Sequence, residues 1–494
     1  MKKYIISAFA LVFGTLAFGQ VTVDPPGPAQ GTAPVATAVA NLSGDADANT
    51  GLSIQNGDDN RVRVRQAGTN QSVYTNQDNG AGLGGNQARV RQTGAVSAAS
   101  GVENLAEVLQ SGTTNQSTTR QEGDRNNAVT RQGQNNLTSI DNKALIRQGV
   151  ANQAEDNYAA IEQDGARHQA TIQQTWDNSD AWTRQRGSAN KSMILQDAGP
   201  ENSDGHEAWN RQIGNRNESF ITQESAGARN LASTQQIGND NQAKQMQNST
   251  AGVGGDGHYA AIEQGAVLSP HVPFVDFIAA VGAPLLDPNI DPFYAGQSFD
   301  RSVGAKAKQT QNGIGQNAQI VQWGGAVDAS NYAEQEQDGA YNTAGIFQDH
   351  PGTGADNYAK QVQDGAVNFA GIWQDGSGNK ALQTQTGFLN IAGSTQVGTG
   401  NMVNTHQFGD FNTAYTAQRG DNNAALVVQY DGQSYSVEQG LLGPSSGNQA
   451  DILQLGPDGD FGASGVDCYF DEQMNLDMDY TVPDFDLEDV CPDC

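Results

Sequence analysis

Cysteine is almost missing from this chain: there are three in 494 residues, Cys468, Cys491 and Cys494, all near the end. A disulfide framework running through the protein is therefore excluded. Charged residues make up only 16% and aromatic residues 7%, too little large apolar material for an ordinary globular core. Lys and Arg total 26 against 55 Asp and Glu, a net charge of −29, so nucleic acid is not expected as a partner. After the first twenty residues no apolar run is long enough to span a bilayer. What the chain has instead is Gly, Asn, Gln and Ala, a composition that either stays disordered or packs small and amide side chains.

The start, MKKYIISAFALVFGTLAFGQ, places Lys2 and Lys3 before an apolar stretch and small residues Ala17 and Gly19 before Gln20. It reads as a secretory signal over 1–19, with no membrane span left after its removal. A linker is expected over 20–55.

Length alone suggests about three domains, but a repeat overrides that prior. From Asn60 onward, 29 units carry Gln six residues after their first position, and that first position is Asn in 21 of them. Position +2 is Ala in 22 units, and +4 is Val, Ile or Thr in 22. Asn, Ala, a β-branched residue and Gln at 0, +2, +4 and +6 share one face of a strand. The odd positions hold residues such as Arg61, Arg63 and Arg65, or Tyr332, Glu334 and Glu336, and are expected to form a solvated face. The rest of each unit, x-Gly-x-x, makes a turn in which Gly supplies positive φ; Gly339, Gly365, Gly376 and Gly387 are examples.

Units follow at steps of eleven, as from Asn357 through Asn368, Asn379 and Asn390, and elsewhere at steps of fifteen. In mid-chain, +4 alternates Gln309, Ile320, Gln335, Ile346, Gln361, Ile372 and Gln383. Equivalent residues thus recur every second unit, so one coil is strand, turn, strand, turn. The expected fold is all-β, a β-solenoid of about 14 coils over 56–265 and 305–456, in which each coil buries its inner face only against its neighbours. Unpaired buried amides would cost about 1–3 kcal/mol each. Stacked in register, they pair as ladders, formed by Asn331, Gln337, Asn342, Gln348, Asn357, Gln363, Asn368, Gln374, Asn379, Gln385, Asn390 and Gln396. Disorder of a prion-like kind does not explain this constancy of phase.

The motif resembles the curlin repeat of curli fibre subunits: Asn368, Gln374, Gly376, Asn379, Ala381 and Gln385 match its order and spacing, and similar matches cover most of 60–456. The resemblance implies no enzyme activity and no cofactor. It implies self-association with curlin-type subunits, passage through an outer-membrane secretion pore with export chaperones, nucleated extracellular polymerisation, and a place in biofilm matrix and surface adhesion. Familiar curlin subunits have about five repeats, so this longer chain is expected to be a fibre segment, a nucleator or a cap. The alternative is a capped monomeric adhesin or accessory rod.

Two segments fall outside the repeat. Residues 266–304 are apolar and rich in Pro, which cannot donate to a sheet ladder, and are expected to leave the solenoid as a docking surface or a self-covering loop. The tail 457–494 carries ten acidic and no basic residues from Gly465 onward, together with the three cysteines. A disulfide or tether, loose Ca²⁺ binding, and a solvated tail that limits association remain alternatives for it. Cys491 and Cys494 form an incomplete zinc site.

His168, His206 and His258 each stand at position 0 and are expected to substitute for Asn in the ladder. Trp182, Trp209 and Trp373 fall on outward positions and look too scattered to form a track. GVGGDG at 252–257 precedes a strand, which argues against a phosphate loop. Asp164, Asp338, Asp364 and Asp375 precede turn glycines, either as stacked charges that oppose aggregation or as simple turn formers. No catalytic or metal-binding arrangement stands out.

Overall fold

A computed structural model describes residue 36 and residues 48–80, 84–94, 101–133, 139–149, 154–199, 203–265, 302–324, 331–349, 354–440 and 445–455. All regular structure among them is β. The expected signal segment, most of the Pro-rich insertion, the acidic tail and the three cysteines lie outside the described residues.

The strands form two parallel sheets, sheet A of seventeen and sheet B of sixteen strands, short flanking pieces included. Successive long strands alternate between them. Tyr358–Ala366 lies in sheet B, Phe369–Ser377 in sheet A, Lys380–Phe388 in sheet B and Ile391–Thr399 in sheet A. Like positions face each other across rungs: Ala359 pairs with Ala381, Gln361 with Gln383 and Gln363 with Gln385. The fold is thus a parallel β-solenoid, and its repeating coil is the strand, turn, strand, turn expected from the 26-residue recurrence.

Even positions point inward. In one half, Ala at +2 and Ile at +4 from both sheets form continuous core columns, including Ala159, Ile161, Ala170 and Ile172; in the other, Ala333 and Ala359 of one sheet pack with Ile346 and Ile372 of the other. A large residue beside a small one fills the narrow space between the sheets. Fifteen-residue steps leave the strand intact and add their residues at the corner after +6, as after Thr343–Gln348.

Three observations correct the sequence reading. First, the solenoid starts earlier: Thr50–Asn56, inside the expected linker, is a strand paired with Ser72–Asp78. Second, Ser302–Val303, inside the expected insertion, pairs with Gly238 and Asn239 and belongs to a solenoid corner. Third, the outward side of sheet A is not uniformly solvated. Val129, Ala160, Trp182, Val321, Phe347 and Trp373 are buried there, and Ala36 packs with the first three of them. The tryptophans are not scattered either. Trp182 lies opposite Trp209 on the next rung, and Phe347 stacks on Trp373 at 5.8 Å. In-register stacking turns residues far apart in sequence into neighbours in a column.

Candidate functional site: amide ladders and open ends

The +6 glutamines form one unbroken ladder on each sheet. On sheet B, Gln337 Nε2 donates to Gln363 Oε1 at 2.8 Å, and Gln363 Nε2 donates to Gln385 Oε1 at 2.8 Å. On sheet A, Gln348 donates to Gln374 and Gln374 to Gln396, at 2.8 and 2.9 Å. The second hydrogen of each amide braces the opposite sheet: Gln363 reaches the Thr343 carbonyl and Gln374 that of Tyr358. The first members, Gln55 and Gln66, donate to Gln77 and Gln92. The last, Gln439 and Gln454, accept from Gln418 and Gln429.

The position-0 asparagines run in the opposite sense. The backbone N–H of Asn379 donates to Asn357 Oδ1 at 2.9 Å, and that of Asn390 to Asn368 Oδ1 at 2.9 Å. Asn357 in turn donates its own N–H to Asn331 Oδ1, as Asn368 does to Asn342 Oδ1. His168, His206 and His258 occupy the same columns. Their Nδ1 atoms accept the backbone N–H of Asn190, Asn230 and Gln316, while Nε2 of each donates to a carbonyl. Burial lowers all three to about 4, so each ring is neutral at pH 7 and Nδ1 remains an acceptor. An imidazole with this tautomer reproduces what an Asn Oδ1 does.

A third amide ladder fills +4 of sheet B in mid-chain. Gln245, Gln309, Gln335, Gln361 and Gln383 donate in sequence, each bond 2.9 or 3.0 Å. Gln245 Oε1 accepts from the Thr234 hydroxyl and Gln383 Nε2 donates to Ser394 Oγ. Each end is thus satisfied within the core.

Gly339, Gly365, Gly376 and Gly387 have φ of 101°, 114°, 108° and 119°. They also stack: a Cβ on Gly376 would lie 2.1 Å from the carbonyl oxygen of Gly398. Sequence reasoning missed a second left-handed position, directly before the Asn. It is held by Tyr341, Val367 and Leu389 at φ of 55–57°. Such backbone is costly for a bulky residue. An inter-coil bond holds it: Val367 N–H donates to the Ala340 carbonyl at 2.9 Å.

The corner acids differ from one another. Asp338 is opposite Asp364, as stacked charge requires, but Asp164 meets Arg186 at 3.6 Å and Asp375 is opposite Val397. Asp349, which sequence reasoning did not single out, is fully buried and accepts from the side-chain amides of Asn331 and Asn357. Burial pushes its carboxyl up to about 7, against those hydrogen bonds, and Asp375 adds to the rise. No cluster of three or more His, Cys, Asp or Glu able to hold a metal ion occurs among the described residues.

Both described ends of the stack are open. Gln55 and Gln66 present Oε1 acceptors at the start, and Gln439 and Gln454 present Nε2 groups at the end, the polarity needed to continue each ladder. The first strand is exposed along nearly all its length. Tyr435, at an inward +2 position of the last coil, is 38% exposed. Gly51 holds that position in the first coil, without positive φ and with its nearest neighbour, the Val73 carbonyl oxygen, 3.6 Å from where a Cβ would stand.

The family model described as Curlin associated repeat matches residues 398–430. That segment holds Asn401, Asn412 and Asn423 with Gln407, Gln418 and Gln429, three successive members of the ladders above. No curated protein matches the chain. By the matched segment, and by the same register in the coils that precede it, this is a curlin-repeat protein.

Proposed function

We propose that the chain is an exported structural subunit that stacks head to tail into curli-like extracellular fibres, or nucleates them, within a biofilm matrix. The observation that carries this reading is the complementarity of the two open ends. Unpaired strand edges template another chain, and here each of the two +6 glutamine ladders leaves an acceptor at one end and a donor of the same column at the other. Continued in register, Gln439 falls over Gln55 and Gln454 over Gln66 of the next copy, while Tyr435 falls over Gly51, where there is space for it. A heterologous contact of this kind, repeated by translation along the rod, does not close and generates a filament. Export is supported by the basic-then-apolar start and by the family resemblance.

Diluting the chain from Gln20 onward out of denaturant, with thioflavin fluorescence and electron microscopy, tests this. Unbranched fibres that form after a lag and are seeded by preformed fibres are expected. A stable β-rich monomer would instead mean a capped rod acting as an adhesin or accessory protein.

A further inference from the structure

Stacking in register places like positions at about 4.8 Å spacing, so outward charges on adjacent rungs stabilise the sheet where they alternate in sign. Sheet A does this with Glu107, Arg131, Glu162 and Arg184, linked at 3.2, 3.9 and 3.6 Å. Sheet B does it in mid-chain, where Glu334 lies between Lys308 and Lys360 at 2.8 and 3.2 Å. The first coils of sheet B break the rule. Arg65, Arg91, Arg120 and Arg147 form one column of directly opposed residues, and Arg63 lies opposite Arg89 beside it. Arg120 bonds Glu122 within its own strand, but Arg63, Arg65 and Arg91 are exposed. Opposed like charges destabilise a sheet, and in a chain of net charge −29 this is a concentrated cationic face.

We infer that this face receives the acidic C-terminal segment, residues 465–494, of the preceding copy in the stack. The inference rests on the head-to-tail reading above. Three observations favour this occupant. The segment has ten acidic and no basic residues. The last strand, Gln449–Gln454, belongs to sheet B and ends beside its +6 column, so in a continued stack the tail departs next to the Arg65 column of the next copy. On that last strand Asp451 is the exposed outward residue at +3, and stacking brings it over Arg63. The tail therefore extends onto the next subunit a charge pairing that begins at the junction itself. Such contacts act mainly on association rate and salt dependence.

The test uses a labelled peptide of residues 465–494 under reducing conditions. It is titrated by fluorescence anisotropy against a full-length chain whose ten acids from Asp467 to Asp493 are changed to amides, at low and high salt. Saturable binding is expected at low salt, weakened about tenfold or more in high salt and by Arg63→Gln, Arg65→Gln and Arg91→Gln combined. Equal binding to the triple variant overturns the inference. So does Arg-dependent capture of a polyphosphate or a DNA duplex without capture of the peptide, which would assign the face to another polyanion. In parallel, the acid-to-amide chain should still form fibres but elongate about tenfold more slowly at low salt; an unchanged rate counts against the inference while leaving the fibre reading intact. Should the unmodified chain form no fibres, the head-to-tail reading fails and the peptide titration still decides whether tail and face recognise each other.

Discussion

The side-chain amide of Gln335 donates to Gln361 Oε1 at 2.9 Å while its own oxygen accepts from Gln309 at 2.9 Å, so each glutamine is at once a donor and an acceptor inside the core. Changing Gln335 alone to Ile strands a donor on Gln309 and an acceptor on Gln361, at about 1–3 kcal/mol per unsatisfied group. Changing Gln245, Gln309, Gln335, Gln361 and Gln383 together to Ile removes both partners of the four ladder bonds, leaving only the Thr234 and Ser394 hydroxyls and the carbonyls that took the second amide hydrogens. The fivefold variant should therefore lose less stability per substitution than Gln335→Ile does, by thermal unfolding followed at a β-sheet wavelength.

Gly376 and Gly378 should respond oppositely to substitution. Gly376→Ala forces Cβ onto the Gly398 carbonyl and is expected to cost about 3 kcal/mol. Gly378 has φ of 66° and nothing closer than 3.9 Å to a Cβ, and its counterparts at neighbouring corners are Val367 and Leu389. Gly378→Asn should stay within about 1 kcal/mol of the wild type, since Asn tolerates this backbone. Hydrogen exchange at Ala381 and Gly387 would localise the difference.

The buried histidines make stability depend on pH. Their folded values, near 4, lie below the ordinary 6.5, because burial disfavours the charged ring. Between those limits the unfolded chain holds more protons, so stability is complete above about pH 6.5 and falls as pH drops toward 4. Asp349 works in the other direction. Its folded value near 7 stands above the ordinary 3.8, so its contribution is complete below about pH 4 and is lost as pH rises to 7. Burial lowers His406 to about 4 as well and raises the carboxyls of Asp124, Glu162 and Asp180; the contribution lost on acidification is that of the histidines. The triple variant His168→Asn, His206→Asn and His258→Asn keeps the ladder and should flatten the profile from pH 6.5 to 4. A profile as steep as the wild type's would refute this.

Growth should be blocked by filling one gap at the junction. Gly51 has room for a side chain within its own coil, so Gly51→Leu is expected to fold normally yet clash with Tyr435 of the preceding copy. Seeded elongation should fall at least about tenfold, while Tyr435→Ala combined with Gly51→Leu recovers part of the rate.

The inward face was legible from parity alone, because Asn331, Ala333, Gln335 and Gln337 can share one side only of a strand. The unit beginning at Asn49 was missed because Gly51 and Ser53 stand where Ala and a branched residue identify the others. The aromatic columns were not legible. Trp182 meets Trp209, and Phe347 meets Trp373, only after steps of unequal length are resolved into rungs. Nor did composition reveal the left-handed residue before each Asn, since a neighbouring coil's carbonyl imposes it and side chains as different as Tyr341 and Val367 occupy it. Asp349 was not singled out, because nothing in the sequence sets it apart from an exposed acid; its carboxyl is buried, with Gly354 against it.

Helical reconstruction of the fibres by electron cryomicroscopy addresses the mode of assembly directly. Head-to-tail stacking gives continuous rungs at about 4.8 Å and one subunit for every stack of about fourteen coils, roughly 65–70 Å along the axis. A filament in which each chain occupies a single 4.8 Å layer, or a monomer that never polymerises, would contradict it.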